Sequence, residues 1–108
     1  MTIMEEKTID SSDVARLVRC AAEGDRKEWE RLVSQYERLI WSITVEFKLV
    51  ESDAADVAQT TWLRLLEHID RIQHPDRVGS WLAATARNEC LRNTALALCA
   101  VFLSGDVD

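Results

Sequence analysis

A long stripe of apolar residues between positions 25 and 47 is the feature that most constrains the fold of this chain. The apolar and aromatic side chains recur there every three or four positions, as Trp29, Leu32, Val33, Tyr36, Leu39, Ile40, Ile43 and Phe47. Because an α-helix has about 3.6 residues per turn, this spacing places them all on one face. The pattern predicts a helix of roughly 24 residues whose apolar face lies in a core. Asp25, with Glu28 three positions later as in a capping box, predicts its start.

A shorter apolar pattern predicts a helix before this one. Ser11 or Ser12 is a suitable N-cap, and Gly24 is suited to the left-handed turn that ends a helix. The residues that this first helix would bury are Val14, Leu17, Val18, Ala21 and Ala22.

A third helix is predicted from Ser52 and Asp53, which supply a cap and a favourable negative charge, to about Ile69. Its core-facing arc consists of Ala54, Ala58, Thr61, Trp62, Leu65 and Ile69. The opposite arc consists of Asp56, Gln59, Thr60, Leu63 and Glu67. We therefore expect Leu63 to lie on the outside, among polar neighbours.

A fourth helix is predicted to begin near Asp76 or Arg77. The dipeptide His74-Pro75 marks the break before it, because proline disfavours the α conformation in its predecessor and lacks a donor. The inward arc of this helix consists of Val78, Trp81, Leu82, Thr85 and Ala86. Another side of the helix, outside this buried arc, presents Ser80, Ala84, Arg87, Asn88 and Leu91.

The composition favours helices over turn-rich β structure. Of the 108 residues, 47% are hydrophobic and 30% are charged, with one proline and three glycines. We therefore expect an all-α fold, a compact bundle of about four helices. Residues 1–11 would form an N-terminal extension, residues 12–93 the helical domain, and residues 94–108 an apolar tail. This tail either packs as an extension of the last helix or marks a truncated or altered product.

The distribution of charge limits where the chain would work and what it would bind. The first ten residues, MTIMEEKTID, are acidic where a signal peptide is basic, and no apolar run reaches the ~18 residues of a membrane span. These features predict a cytoplasmic protein. The net charge of −6 argues against binding nucleic acid by bulk electrostatics. Residues 64–93 are the exception, with five basic and four acidic side chains.

The sequence contains no pattern typical of an enzyme. A glycine-rich phosphate loop, a G-x-S-x-G motif and an H-E-x-x-H motif are all absent. Cys20, Cys90 and Cys99 form no C-x-x-C pair, and the histidines have no ligand-like spacing to them. We therefore expect no catalysis, no metal site, no cofactor, and buried structural thiols.

Two consecutive segments resemble region two of bacterial sigma factors in the sigma-70 family, of the extracytoplasmic-function type. They are SDAADVAQTTWLRLLEHIDRI and HPDRVGSWLAATARNECLR. The resemblance rests on D-A-x-D-V-x-Q with aromatic-L-R-L, then a short polar loop, then W-L-x-x-x-A-R-N, in that order. Upstream, WERLVSQYERLIWSI is similar to the first conserved helix of the family. The similarity covers roughly residues 12–93.

The resemblance implies that the third helix binds the clamp helices of the largest subunit of RNA polymerase. The residues implied in polymerase binding are Asp56, Gln59, Thr60, Leu63, Arg64 and Glu67. Leu63 is then an apolar anchor within a polar rim, an arrangement typical of interface hot spots.

The resemblance also implies contact with the promoter −10 element through loop 73–77 and helix 78–92. The residues implied in DNA binding are Gln73, His74, Arg77, Ser80, Ala84, Arg87 and Asn88. The small residues would let a strand approach closely, while Arg87 and Asn88 would reach a phosphate or a base edge. Promoter DNA would bind weakly to the isolated chain, because an acidic domain neutralises few phosphates.

Further expectations concern the C-terminal part of the chain and its partners. Complete sigma factors of this type contain a region four, and nothing after residue 93 resembles it. An anti-sigma factor is a further implied partner, and the apolar segment 95–103 predicts a homodimer. The alternative to a transcription role is a helical adaptor or regulatory interaction module that binds no DNA.

Overall fold

The part of the chain that the structure describes folds into four helices and two short 3-10 turns. The computed structural model describes the backbone of residues 11–104 and the side chains of residues 12–99. The helices are α1 (Ser11–Ala22), α2 (Arg26–Glu46), α3 (Glu51–His68) and α4 (Val78–Ser104). The first turn (Ile69–Arg71) and the second turn (Pro75–Arg77) join α3 to α4. The described residues contain no strand, which confirms the predicted all-α bundle.

Local chemistry sets the junction between α1 and α2 as the sequence predicts. Gly24 has a left-handed φ of +95°, and its N–H donates to the carbonyl of Ala21 over 3.0 Å. The Asp25 carboxylate then accepts the Glu28 N–H over 3.3 Å and caps α2. The reciprocal half of the predicted capping box is not formed, because the Glu28 carboxylate pairs with Arg16 and Arg31 at 3.9 and 3.6 Å. α2 contains 21 residues, somewhat fewer than the pattern predicts.

The predicted cap of α3 is wrong by two residues. Val50 occupies the N-cap position and makes no side-chain hydrogen bond. Because the Ala54 N–H donates to the Val50 carbonyl over 2.9 Å, the first turn already closes around Ser52. The negative charges of Glu51 and Asp53 in that first turn stabilise the positive end of the helix dipole instead.

One apolar cluster connects all four helices. Its buried members are Val14, Leu17, Val18, Leu32, Ile40, Ile43, Val57, Leu65, Ile69, Val78, Leu82, Ala86 and Cys90. Two buried hydroxyls are satisfied within their own helices, since Thr61 Oγ1 donates to the Val57 carbonyl over 2.8 Å and Thr44 Oγ1 to the Trp41 carbonyl over 2.6 Å. Both buried hydroxyl groups therefore have a hydrogen-bond acceptor, as buried polar groups usually do.

The buried arcs of α3 and α4 differ in detail from the predicted ones. Val57 is 3% exposed although the pattern left it out, whereas Ala58 and Trp62 are only half-buried. Trp62 lies at the flank facing α2, where its ring meets Trp29 edge to face at 5.8 Å between centroids. On α4, Trp81 and Thr85 are likewise half-buried. The buried arcs of α3 and α4 are thus rotated slightly about the helix axes relative to the predicted arcs.

α4 continues beyond the bundle into the segment named as the tail. Leu96 and Leu98 are 67% and 57% exposed. The predicted homodimer through residues 95–103 stays a prediction, and the side chains from residue 100 onward lie outside the described part of the chain, as do residues 1–10. Of the three thiols, Cys90 alone is buried, so the expectation of buried thiols is wrong for Cys99, which is exposed.

Two further structural expectations can be compared with the described residues. Across that part of the chain, no helix combines the length and the apolarity needed to cross a membrane. The same residues contain no cluster of three or more side chains suited to holding a metal ion.

Candidate functional site

The outer face of α3, defined as Asp56, Gln59, Thr60, Leu63 and Glu67, is directed away from the core. Thr60 is half-buried and the other four are exposed. Leu63 is 50% exposed, although a leucine of a core-facing helix is usually buried. The face therefore combines one prominent apolar side chain with two carboxylates and an amide, a surface suited to a basic partner.

Arg64 lies at the edge of this face and has a structural role that the sequence did not predict. Its Nε donates to Glu89 Oε2 of α4 over 2.6 Å. The Glu89 side chain is only 12% exposed, so its carboxylate needs a cationic partner. Arg64 thus joins α3 to α4, and only its terminal nitrogens remain for an external partner. Glu89 was missed because no spacing rule relates residues that are 25 positions apart.

A cavity of about 470 Å³ opens where the two 3-10 turns meet α3 and α4. Its lining residues are His68, Arg71, Ile72, Gln73, His74, Arg77, Ser80 and Trp81. Four residues of the predicted DNA set are brought together here: Gln73, His74, Arg77 and Ser80. We call this cavity the loop pocket. The other four lining residues were not predicted. His68 and Trp81 become neighbours only when the chain folds back after α3, whereas Arg71 and Ile72 directly precede Gln73 in the sequence.

Backbone and side-chain bonds give the loop pocket its shape. The Arg77 N–H donates to the His74 carbonyl over 2.9 Å, and the Val78 N–H donates to the Pro75 carbonyl. Arg71 Nη2 donates to the carbonyl of Glu67 over 2.8 Å at the end of α3. These bonds fix the two turns at the ends of α3 and α4.

The lining of the loop pocket suits a planar, electron-rich group. The rings of His68 and Trp81 lie 6.1 Å apart between centroids at 47°, and Trp81 offers an apolar face. Arg71 and Arg77 supply guanidinium donors from the two turns. A nucleobase is such a group, because it stacks on aromatic rings and accepts hydrogen bonds along its edge.

The remaining predicted DNA residues lie further along α4 and do not line the loop pocket. Ala84, Arg87 and Asn88 are exposed. Arg87 Nη2 is 3.8 Å from Glu46 Oε1, and both side chains are at least half exposed, so this ion pair is weak. Asn88 borders a second cavity of about 480 Å³ between α3 and α4. The predicted set is therefore a stripe along α4 that begins at the pocket and does not converge on it.

Burial shifts the acidity of two groups close to these elements. Desolvation raises the pKa of the Cys90 thiol, and the negative charge of Glu89 raises it further. Desolvation also raises the pKa of the Tyr36 hydroxyl. Both groups are therefore protonated at neutral pH.

Comparison with known protein families identifies a matching family. The family model described as Sigma-70 region 2 matches residues 32–95, a segment that includes α3, both 3-10 turns and the larger part of α4. No curated protein and no solved structure matches the chain significantly. The matched segment covers more than half of the 108 residues and contains both the outer face of α3 and the loop pocket. The chain therefore belongs to the Sigma-70 region 2 family.

Proposed function

We propose that the chain is a transcription initiation factor domain that binds the RNA polymerase core through the outer face of α3. Membership of the Sigma-70 region 2 family supports a role of this kind. The single observation that carries the site assignment is the exposure of Leu63 among Asp56, Gln59 and Glu67. An apolar anchor within a polar rim is the usual arrangement of an interface hot spot.

The second part of the proposal is contact with the promoter −10 element through the loop pocket and the stripe along α4. An unpaired base would stack in the pocket, while Arg87 and Asn88 would meet the backbone or a base edge. The pocket's aromatic and guanidinium lining supports this assignment. The net charge of −6 implies that polymerase supplies most of the attraction for DNA, so the isolated chain binds duplex poorly at physiological salt. The extracytoplasmic-function type remains a prediction from the motif order.

Capture of purified RNA polymerase core by the immobilised chain tests the docking face. Replacing Leu63→Ala removes the anchor, and the loss of about 2 kcal/mol typical of a hot spot weakens binding roughly 30-fold. Leu91→Ala is the matched control, because Leu91 is 57% exposed on α4 and belongs to neither predicted binding set. We expect the control to change the apparent Kd less than about threefold, as for a residue outside the hot spot.

Two results would contradict the docking proposal. Binding that survives Leu63→Ala unchanged would remove Leu63 from the interface. Equal losses for Leu63→Ala and Leu91→Ala would indicate general apolar adhesion without a defined face. If polymerase is captured but the complex binds no single-stranded DNA, the adaptor alternative is favoured over promoter recognition.

A further inference from the structure

Helix α1 lies outside the segment that matches the family, yet it is fully integrated into the core. The family match begins at Leu32, ten residues after α1 ends at Ala22. Val14, Leu17 and Val18 are each at most 3% exposed. A helix of 12 residues is marginally stable by itself, so this burial is what keeps α1 folded.

The two 3-10 turns that form the loop pocket have little support apart from α1. Besides the helices that they connect, both turns contact α1 extensively. The second turn packs against α1 nearly as closely as α2 packs against α1. Within the loop, the backbone bonds of Arg77 to His74 and of Val78 to Pro75 each close a single turn. Short 3-10 segments of this kind are not stable without tertiary contacts.

The outer face of α3 depends on contacts with other helices than α1. α1 has only marginal contact with α3, whose neighbours are α2 and α4. Leu63 and its polar neighbours therefore keep their arrangement as long as α2, α3 and α4 remain packed. A loosened α1 would change the loop pocket before it changed the outer face of α3.

We infer that α1 is a positioning element for the loop pocket, and that Val18 acts on promoter-strand binding through the two turns without touching DNA. This inference rests on the proposed function for its consequence in DNA binding. Its structural half, the dependence of the turns on α1, does not rest on that function.

The structural half is tested by amide hydrogen exchange of the full chain, read by NMR at Arg77 and Val78. Val18→Ala removes two methyl groups from α1, where Val18 is 2% exposed. Val57→Ala is the matched control, with the same change at 3% exposure in α3. Because the local opening free energy falls by the cost of the lost methyl groups, we expect exchange at both amides to accelerate about tenfold in Val18→Ala. The control should produce less than half of this effect.

The functional half uses polymerase core with each variant and a fluorescent pool of random single-stranded DNA 12-mers. We expect Val18→Ala to keep its affinity for polymerase within about twofold while the complex binds the DNA about tenfold more weakly. Val57→Ala should leave both affinities close to those of the original chain. If Val18→Ala fails to fold, judged by loss of helical circular dichroism, Arg19→Gly weakens α1 more mildly through helix propensity, because Arg19 is exposed.

The outcomes separate this inference from the proposed function. Exchange at Arg77 and Val78 that is unchanged in Val18→Ala, or equally accelerated in Val57→Ala, overturns the role of α1. Faster exchange with unchanged DNA binding overturns its functional consequence. An original chain that neither captures polymerase nor forms a DNA-binding complex refutes the proposed function, while the exchange experiment still decides the structural half.

Discussion

Replacing Lys48 with glycine is predicted to give a more stable protein than replacing it with alanine, because Lys48 is the one non-glycine residue of the described chain with a positive φ, at +56°. It occupies the end of α2, where the Lys48 N–H donates to the Val45 carbonyl over 2.9 Å and the Leu49 N–H to the Thr44 carbonyl over 3.3 Å. This bond pattern needs a left-handed residue, and glycine usually provides it. Gly24 occupies the equivalent position after α1, with φ +95°.

The magnitude follows from two opposing backbone terms. A left-handed conformation costs an L-residue about 1–2 kcal/mol, whereas glycine loses about 0.5–1 kcal/mol more backbone entropy on folding than alanine. Lys48→Gly also removes a positive charge near a helix C-terminus. A positive charge at this position stabilises the helix by about 0.3–1 kcal/mol, so its removal is unfavourable. Lys48→Ala removes the same charge and retains the Cβ atom. The informative quantity is therefore the difference between these two variants, about 1 kcal/mol in favour of glycine.

The assay is urea unfolding followed by circular dichroism, with thermal unfolding as a second measure. A difference of about 1 kcal/mol corresponds to a Tm difference of roughly 4–6 °C for a domain of this size. Gly24→Ala should change stability in the opposite direction, because its Cβ would meet nothing within 4 Å and only the backbone strain remains. Lys48→Gly that is no more stable than Lys48→Ala would refute the reasoning about the left-handed turn.

Two further predictions concern the contacts between α3 and α4. A double-mutant cycle on Arg64 and Glu89 should give a coupling energy of about 1–2 kcal/mol, because the carboxylate is largely buried. The exposed Arg26–Glu30 pair at 3.8 Å should give no more than about 0.5 kcal/mol, and equal couplings would argue against the Arg64–Glu89 bond. Burial and the negative charge of Glu89 raise the pKa of the Cys90 thiol above its ordinary value of 9.0. The protonated thiol therefore contributes its full stability below the pKa of the thiol in the unfolded chain. This contribution is lost as the pH rises through the pKa of the thiol in the folded protein. Urea unfolding between pH 8 and about 11 should show a smaller alkaline loss in Cys90→Ala, and identical slopes would contradict this assignment.

Much of the local structure could be predicted because its causes lie within a few residues of each other. The left-handed Gly24, the cap of Asp25 on Glu28 and the break at Pro75 all follow from the chemistry of single residues and their neighbours. The outward direction of Leu63 follows from helical periodicity in the same way. The cap of α3 was mispredicted because Val50 offers no side-chain signal, so the first turn is set by the preceding chain reversal.

The candidate site could be predicted only in part, because its shape depends on contacts between distant segments. Periodicity placed the buried arc of α3 on Trp62, whereas packing against α2 moved Trp62 to the flank and buried Val57 instead. Arg64 could be assigned to the docking face from the resemblance. Its bond to Glu89 depends on how α3 lies against α4, which the sequence does not specify by spacing.

The sequence by itself determined the number of helices, most of their ends and the separation of an apolar core from a polar outer face on α3. These properties depend on helical periodicity, caps and chain-breaking residues, which act over one or two turns. The tertiary structure decided that the turns after α3 rest on α1, that His68 and Trp81 join the loop pocket, and that Glu89 holds Arg64. The physical reason is that burial and ion pairing depend on which surfaces meet, and α1 meets the two turns after α3 only when the whole bundle has closed.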